Sequence, residues 1–454
     1  MKRLVFAVTA MSLVSGCAVL GLDRKKPTTP TVGQRVAVLG AESAIQVDPN
    51  LAAAPVTLPA MTQNDAWAQP GGNPSKSVGH LALAPVLGQA WSASIGQGST
   101  NRGRLGAAPV VAAGRVYTVD TTATLRAFDA ASGRQAWSVR IGDPREIAGG
   151  RSFWNGEATG NSGALFGGGV SYDNGRVYAT NGLGDTAAFD AATGAQIWRV
   201  RPGGPLRGAP TIANDTVYVV SQDNQLYALN PNDGTLRWNG VGTLEMAGVF
   251  GSAAPAAAQG TVVAGFSSGE LTAYRYENGR VVWQDALART SISTAVSSLS
   301  DIDAEPVIHE GRVYAIGQGG RMVALELVTG QRIWEINVAG ISTPAVVGDW
   351  IFVVTDEAQL LALSRETGRV RWMTQLRRYS DEDDKKGSVS WVGPVVAGGR
   401  LILANSEGQI ANVSPVDGSI QSVVNTKTPI SLPPVVAGGT LYILNDRGQL
   451  TAWR

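Results

Sequence analysis

Cysteine and histidine are scarce in this chain. Its 454 residues include one cysteine, Cys17, and two histidines, His80 and His309. The single cysteine leaves no pair for a disulfide. His80 lies in a segment of irregular composition, and His309 lies where a predicted strand meets a turn, so neither has the setting of a metal ligand or a catalytic base. The sequence therefore argues against a histidine-bound zinc enzyme and against a triad hydrolase.

Charged residues are also few, and the two signs balance. Lysine and arginine number 37 against 36 aspartates and glutamates, and charged residues make up 16% of the chain. A net charge of +1 gives no global electrostatic reason to expect a nucleic-acid partner. Hydrophobic residues make up 44%, and the 56 glycines are typical of an all-β protein with many turns.

Long hydrophobic runs are missing except near the first residue. Lys2 and Arg3 precede an apolar stretch over residues 4–11, which is too short to cross a bilayer. Such a basic start followed by a short apolar core is typical of a secretory signal peptide. We assign residues 1–16 to this signal peptide.

An internal repeat runs from residue 108 to the end of the chain. Each copy, of roughly 40 to 60 residues, has a proline followed by apolar residues, a Val-Tyr-like strand and a Leu-x-Ala strand, and most copies end in a glycine and a tryptophan. Six copies place the glycine four residues before the tryptophan: Gly133 and Trp137, Gly194 and Trp198, Gly234 and Trp238, Gly279 and Trp283, Gly330 and Trp334, Gly368 and Trp372. Four short strands per copy predict one propeller blade. We expect the tryptophans to be core residues.

The last two copies are incomplete. The seventh has Ser422 in place of the tryptophan, and the eighth ends at Arg454 after its third strand. Residues 88–93 resemble the tryptophan-containing fourth strand of the other copies, although they precede the first copy. We therefore expect them to complete the eighth blade. The prediction is an all-β, eight-bladed β-propeller of four-stranded antiparallel blades over residues 87–454, closed by its N-terminal strand.

Residues 17–86 have a different composition, rich in Pro, Ala, Thr and Gln without a clear period. We interpret them as a flexible tether, with Trp67 docking on the propeller.

Residues 13–17 resemble the lipobox of bacterial lipoproteins. The resemblance implies that Cys17 is diacylated, becomes the first residue after cleavage and is acylated again at its new N-terminus. Acyl chains at about 0.8 kcal/mol per buried methylene give stable anchoring when two or more are present. Ala18 resembles an outer-membrane sorting residue. The alternative is that Cys17 is an incidental thiol of the signal peptide.

The sequence motif Ala-x-Asp-x-x-Thr-Gly-x-x-x-Trp resembles the repeat of pyrroloquinoline-quinone enzymes. That resemblance implies a quinone and calcium on the propeller axis, with an aspartate as base. The chain lacks the cysteine pair and the long insertions of many such enzymes, and we identify no set of calcium ligands, so no cofactor, metal or catalytic residue is predicted. A quinoprotein remains one alternative function, and a propeller that binds cell-wall glycan is another.

A lipobox, a tether and a single propeller of this repeat together resemble the BamB family, the lipoprotein subunits of the outer-membrane β-barrel assembly machinery. The resemblance extends from about residue 85 to the end. It implies a non-catalytic scaffold on the outer membrane, facing the periplasm, that binds the POTRA domains of BamA and supports the folding of outer-membrane proteins. Unfolded outer-membrane proteins are a further partner class.

Residues 298–306 match an Asp-x-Asp loop that helps to contact BamA in the family, which makes Asp301 and Asp303 the first candidates. Because they alternate around Ile302, both carboxylates are expected to point the same way and meet a basic partner surface. The alternative is that one of them only caps the loop turn.

A second set of candidates lies one copy earlier. The family has a Leu-x-Leu-Arg-Gly loop there, and this chain has Met246, Val249 and Phe250, with Phe250 at the arginine position. We expect this loop and the two aspartates to form a small acidic and apolar patch. Leu206 and Arg207, in the preceding copy, are the second choice.

Overall fold

The computed structural model describes residues 45–101, 103–143, 150–151, 158–159, 168–244, 253–287 and 300–454. Cys17, Met246, Val249 and Phe250 lie outside these ranges. Over the described part of the chain, the secondary structure consists of strands, turns and bends. No helix long and apolar enough to cross a membrane is found in that part.

The described strands build eight four-stranded antiparallel sheets, blades A to H in chain order, arranged in a ring. The strand β1 (Gln89–Ser94) precedes blade A. Blade A consists of β2 (Val110–Ala112), β3 (Arg115–Val119), β4 (Thr124–Asp129) and β5 (Gln135–Arg140). A small sheet of β6 (Gly150–Arg151) and β7 (Ala158–Thr159) follows. Blade B consists of β8 (Gly168–Asp173), β9 (Arg176–Asn181), β10 (Thr186–Asp190) and β11 (Gln196–Val200). Blade C consists of β12 (Thr211–Ala213), β13 (Thr216–Val220), β14 (Gln225–Leu229) and β15 (Leu236–Val241). Blade D consists of β16 (Ala256–Ala258), β17 (Thr261–Gly265), β18 (Glu270–Arg275) and β19 (Val281–Ala286).

The second half of the ring repeats this order. Blade E consists of β20 (Val307–His309), β21 (Arg312–Gly317), β22 (Arg321–Glu326) and β23 (Arg332–Ile336). Blade F consists of β24 (Ala345–Val347), β25 (Trp350–Val354), β26 (Gln359–Ser364) and β27 (Val370–Gln375). A hairpin of β28 (Tyr379–Asp381) and β29 (Lys386–Ser388) precedes blade G. Blade G consists of β30 (Trp391–Ala397), β31 (Arg400–Asn405), β32 (Gln409–Val413) and β33 (Ile420–Asn425). Blade H contains β34 (Val435–Ala437), β35 (Thr440–Leu444) and β36 (Gln449–Trp453). The predicted eight-bladed propeller is confirmed.

The turn between the third and fourth strands of a blade uses the expected side chains. In blade B the Asp190 carboxylate accepts hydrogen bonds from the backbone N–H and the hydroxyl of Thr193, at 2.8 and 2.7 Å. Gly194 follows with φ +76°, which glycine adopts at little cost. The carboxylate thus satisfies a turn that the glycine makes possible.

Each such turn also receives a tryptophan from the preceding blade. Trp198 of blade B donates its Nε1–H to the Pro231 carbonyl oxygen of blade C at 2.8 Å. A Cβ placed on Gly234 would lie 2.7 Å from Trp198 Cε3, so the ring fits only against glycine. The same contact recurs at seven blade junctions, formed by Trp91, Trp137, Trp198, Trp238, Trp283, Trp334 and Trp372. The tryptophans are therefore inter-blade contacts of the core.

The fourth strand of blade H is β1, which pairs antiparallel with β36 from Gln89 opposite Trp453 to Ser94 opposite Gln449. Because β1 does not follow β36 in the chain, blade H has no turn between its third and fourth strands. At this junction Ser422 stands in place of the tryptophan and accepts a hydrogen bond from Asn412 Nδ2 at 3.0 Å. The missing tryptophan thus coincides with the missing turn.

The interpretation of residues 17–86 as a flexible tether is wrong for residues 45–86, which we call the strap. The strap crosses the ring where the inner strands of the blades end. Its backbone bonds include Trp67 N to Val111 O (2.7 Å) in blade A and Leu81 N to Val396 O (2.9 Å) in blade G. Trp67 is 5% exposed, so its predicted docking is confirmed. The strap bonds mainly through its backbone, which is why its composition showed no period.

Both histidines hold the strap in place. His80 Nδ1 donates to Pro59 O at 2.8 Å, and His80 Nε2 accepts from Gly399 N at 2.9 Å. His309 Nδ1 lies 2.8 Å from Ser77 Oγ. The two imidazole rings therefore link the strap to blades G and E.

Candidate functional site

Three charged side chains meet on the face of the ring opposite the strap, where the connectors between blades lie. Arg207 comes from the connector before blade C, and Asp301 and Asp303 come from the connector before blade E. Arg207 Nη2 lies 2.6 Å from Asp301 Oδ1 and 3.0 Å from Asp303 Oδ1. Their side chains are 3%, 1% and 8% exposed, respectively. We call these three residues the connector cluster and this side of the ring the connector face.

The backbone of Arg207 is fixed on both sides. Its N–H donates to Val220 O at 2.9 Å, and its carbonyl oxygen accepts from Gly168 N at 3.2 Å. The preceding residue, Leu206, is fully buried and forms a bridge with Ser221. Because these bonds connect Arg207 to blades B and C, the backbone that carries the arginine side chain is held in a fixed position.

The aspartate loop is held by the residue between the two carboxylates. Ile302 is fully buried, and its N–H donates to Phe266 O at 3.2 Å. A Cβ on Gly265 would lie 2.5 Å from Ile302 Cγ2, so a larger residue there would displace the loop. On the other side, Gln318 N donates to Asp301 O at 2.9 Å. Burial of Ile302 thus directs its two acidic neighbours toward Arg207.

Two carboxylates share one guanidinium, which leaves the connector cluster with an excess of negative charge when all three groups are ionised. Burial, and then the charge of Asp301, raise the pKa of Asp303 to about 7, although Arg207 opposes this shift. Gln318 Nε2 donates to Asp303 Oδ2 at 2.9 Å. Within the described residues, the buried Asp301 Oδ2 has no hydrogen-bond partner.

The structure corrects the predicted site in two ways. Asp301 and Asp303 are buried and paired internally, so the expected exposed acidic patch is wrong. Leu206 and Arg207 were only a second choice, yet Arg207 is the partner of both aspartates. A signal was present in the sequence, because Arg207 is the one charged residue between Pro205 and Pro210. Met246, Val249 and Phe250 lie outside the described residues.

Clustered metal ligands are absent from the part of the chain that the structure describes. No group of three or more His, Cys, Asp or Glu side chains is placed there to hold a metal ion. In the connector cluster, the two carboxylates face an arginine instead.

Comparison with known proteins gives a consistent result. A family model described as outer membrane protein assembly factor BamB matches residues 88–147 and 139–374. The chain is 26% identical over 303 residues to the outer membrane protein assembly factor BamB of Yersinia pestis, covering 67% of this chain and 72% of that protein. The crystal structure of BamB from Moraxella catarrhalis superposes with a TM-score of 0.67 at 20% identity, covering 81% of this chain and all of that one. A quinohemoprotein alcohol dehydrogenase from Comamonas testosteroni has a TM-score of 0.62 at 13% identity, covering 86% and 81% of the two chains. At these identities the two structures show a shared fold.

Proposed function

The chain belongs to the family of the outer membrane protein assembly factor BamB, and from this membership we propose that it is a non-catalytic scaffold lipoprotein of the outer-membrane β-barrel assembly complex. In this proposal the connector face binds the periplasmic POTRA domains of BamA and thereby supports the folding and insertion of outer-membrane proteins. Cys17 carries the lipid that anchors the protein to the outer membrane, with the propeller in the periplasm.

The observation that carries the proposal is the buried connector cluster. Removing three charges from water is costly, and a hydrophobic cluster of similar volume is often at least as stable. A buried ionic group is therefore weak evidence for a purely stabilising role. This cluster joins two connectors on one face of the ring and fixes their relative positions. The same Asp-x-Asp loop is the one that the family resemblance assigns to partner contact.

We assign the three residues of the cluster different degrees of contact with BamA. Arg207 and Asp301 position the connectors, because both are almost fully buried. Asp303, which is 8% exposed, lies nearest the surface. Direct contact by Met246, Val249 and Phe250 is a proposal from sequence, in which Phe250 supplies an aromatic anchor where the family has arginine.

The strap also places a buried cation against the first strand of blade C. Lys76, which belongs to the strap, is buried. Its Nζ donates to Pro70 O at 2.9 Å and to Thr211 Oγ1 at 3.1 Å. Burial lowers the pKa of Lys76 to about 8. Lys76 thus links the strap to β12, and its ammonium group is bonded within the chain.

Photocrosslinking in cells tests this assignment of faces. A photoreactive amino acid at Ser300 or Phe250 should crosslink to BamA, whereas one at Met61, which is 54% exposed on the strap, should not. Crosslinks to BamA from Met61 with none from Ser300 or Phe250 would show that the wrong face was chosen.

Two further assays address the alternative functions. Incubation with pyrroloquinoline quinone and calcium should leave no quinone absorbance on the purified protein, and sedimentation with purified peptidoglycan should leave the protein in the supernatant. Bound quinone would favour the quinoprotein, and co-sedimentation would favour the glycan-binding propeller.

A further inference from the structure

The outer strand of blade G differs from the other outer strands of the ring. All six residues of β33 are exposed, whereas each of the other seven outer strands has at least one partly or fully buried residue at its centre. Ile420, Val423 and Val424 are 48%, 48% and 41% exposed. Three aliphatic side chains therefore lie in water on a strand at the edge of a sheet.

This strand also lacks the charges that protect an edge from pairing with another chain. Six outer strands carry at least one charged residue: Arg140, Arg199, Arg237, Asp285, Arg332 with Glu335, and Arg371. Of the two uncharged outer strands, β1 buries Trp91 against blade A, and β33 has Ser422 at the equivalent position. Among the described outer strands, β33 thus has the least protection.

The edge of β33 that faces away from β32 carries backbone N–H and C=O groups that can pair with another strand. The bond from Thr426 N to Gly408 O, at 2.7 Å, fixes which residues face β32. In an antiparallel ladder the hydrogen-bonding residues alternate, so Thr426, Val424 and Ser422 face β32. Val423 and Asn425 therefore direct their N–H and C=O groups away from β32, where they are available to pair with an added strand.

The charge of Lys427 bears on the residues expected in a strand that pairs with β33. Lys427 follows β33, is exposed, and takes part in none of the ion pairs found among the described residues. In an antiparallel arrangement the beginning of the incoming segment lies near Lys427, where an acidic side chain would be favourable. Within the paired stretch, a charge next to Val423 or Val424 would lose hydration without gaining a partner.

We propose that β33 binds an extended segment of a partner protein, which adds as a fifth, antiparallel strand to blade G. The segment is uncharged where it pairs, alternates aliphatic with small polar residues, and has an acidic residue at its N-terminal end. Main-chain hydrogen bonds supply affinity, and Ile420, Val423 and Val424 supply the apolar contacts. This surface is separate from the connector cluster, and the inference does not depend on the proposed function.

Fluorescence anisotropy with the full mature protein tests the inference. The probe is a labelled peptide of about ten residues, the length of a barrel strand, with alternating valine and serine after an N-terminal glutamate. We expect saturable binding that falls at least tenfold in Val423→Lys with Val424→Lys. The matched control is Val281→Lys with Val282→Lys in β19, since these adjacent valines are 52% and 37% exposed on another outer strand.

Variants of the peptide separate strand addition from nonspecific apolar binding. N-methylation of alternate amides on the pairing edge should abolish binding, and replacing the N-terminal glutamate with lysine should weaken it. The inference is overturned if the wild type does not bind, if both double variants lose binding equally, or if methylation has no effect. It is also overturned if ultracentrifugation shows that a second copy of the chain occupies β33, as a dimer that Val423→Lys with Val424→Lys dissociates.

Discussion

Arg207 and Asp301 are 94 residues apart in the chain, yet Arg207 Nη2 and Asp301 Oδ1 lie 2.6 Å apart in the interior of the connector face. The contact joins the connector before blade C to the connector before blade E, so two blades, C and D, lie between them along the chain. Neither side chain has appreciable contact with water. Each charge therefore needs the other as its partner, because an unpaired buried charge strongly destabilises the folded state.

Replacing Arg207 with methionine should therefore be strongly destabilising. Methionine retains most of the volume, but it leaves Asp301 and Asp303 buried without their cation. Breaking a buried ion pair in this way costs about 3 to 5 kcal/mol. Urea unfolding of purified Arg207→Met should show a loss of this size.

Arg237→Met is the matched control for that experiment. Arg237 pairs with Asp215 at 3.1 Å, but the two side chains are 35% and 73% exposed. An exposed pair contributes about 1 kcal/mol or less. If both substitutions cost the same, the connector cluster is not the buried structural unit described above.

The raised pKa of Asp303 predicts a specific pH dependence. Between its ordinary value of 3.8 and about 7, folded Asp303 holds a proton that the unfolded chain has released. The contribution of this residue to the free energy of unfolding therefore falls as pH rises through this window and is constant above it. From about pH 5 to about pH 8, the wild type should lose stability relative to Asp303→Asn.

Asp417→Asn is the control for the pH dependence. Side-chain hydrogen bonds, chiefly from Ser414 and Ser419, lower the pKa of Asp417 to about 2, so its contribution is lost only as pH falls through the acid range. Between about pH 5 and pH 8, the difference between wild type and Asp417→Asn should stay constant. A constant difference for Asp303→Asn as well would contradict the assigned environment.

The contact between tryptophan and glycine at the blade junctions gives a prediction about packing. A Cβ on Gly279 would lie 2.5 Å from Trp238 Cε3, whereas a Cβ on Gly311 would find no described atom within 4 Å. Both glycines have positive φ, at +69° and +74°, so both alanine variants carry backbone strain of about 1 kcal/mol or more. Gly279→Ala should lose a further 1 to 3 kcal/mol or so through overpacking. Equal unfolding free energies for the two variants would rule out the tryptophan as the cause.

The local pattern predicted the ring well, because its determinants are close in sequence. The turn glycine and the tryptophan four residues after it are visible in all six complete copies, and blade B adds Asp190 and Thr193 to the turn. The contact of Arg207 with Asp301 was not predictable in this way, since no local period relates residues in different connectors. The strap was missed because it bonds through its backbone, which leaves no apolar period in its sequence.

A substitution at Trp67 tests whether the strap belongs to the folded unit. Trp67 is 5% exposed and its backbone pairs with Val111, so Trp67→Ala should cost about 3 to 5 kcal/mol. Met61→Ala, in the same segment but 54% exposed, should change stability by no more than about 0.5 kcal/mol. Thermal unfolding of both variants measures the difference. A Trp67→Ala protein as stable as the wild type would restore the tether interpretation.

The most direct test of the central claim is affinity purification of the tagged, full-length chain from detergent-solubilised cell envelopes, with BamA measured in the eluate. We predict that BamA is retained by the wild type and by Arg237→Met. A folded wild-type protein that elutes without BamA would contradict the account.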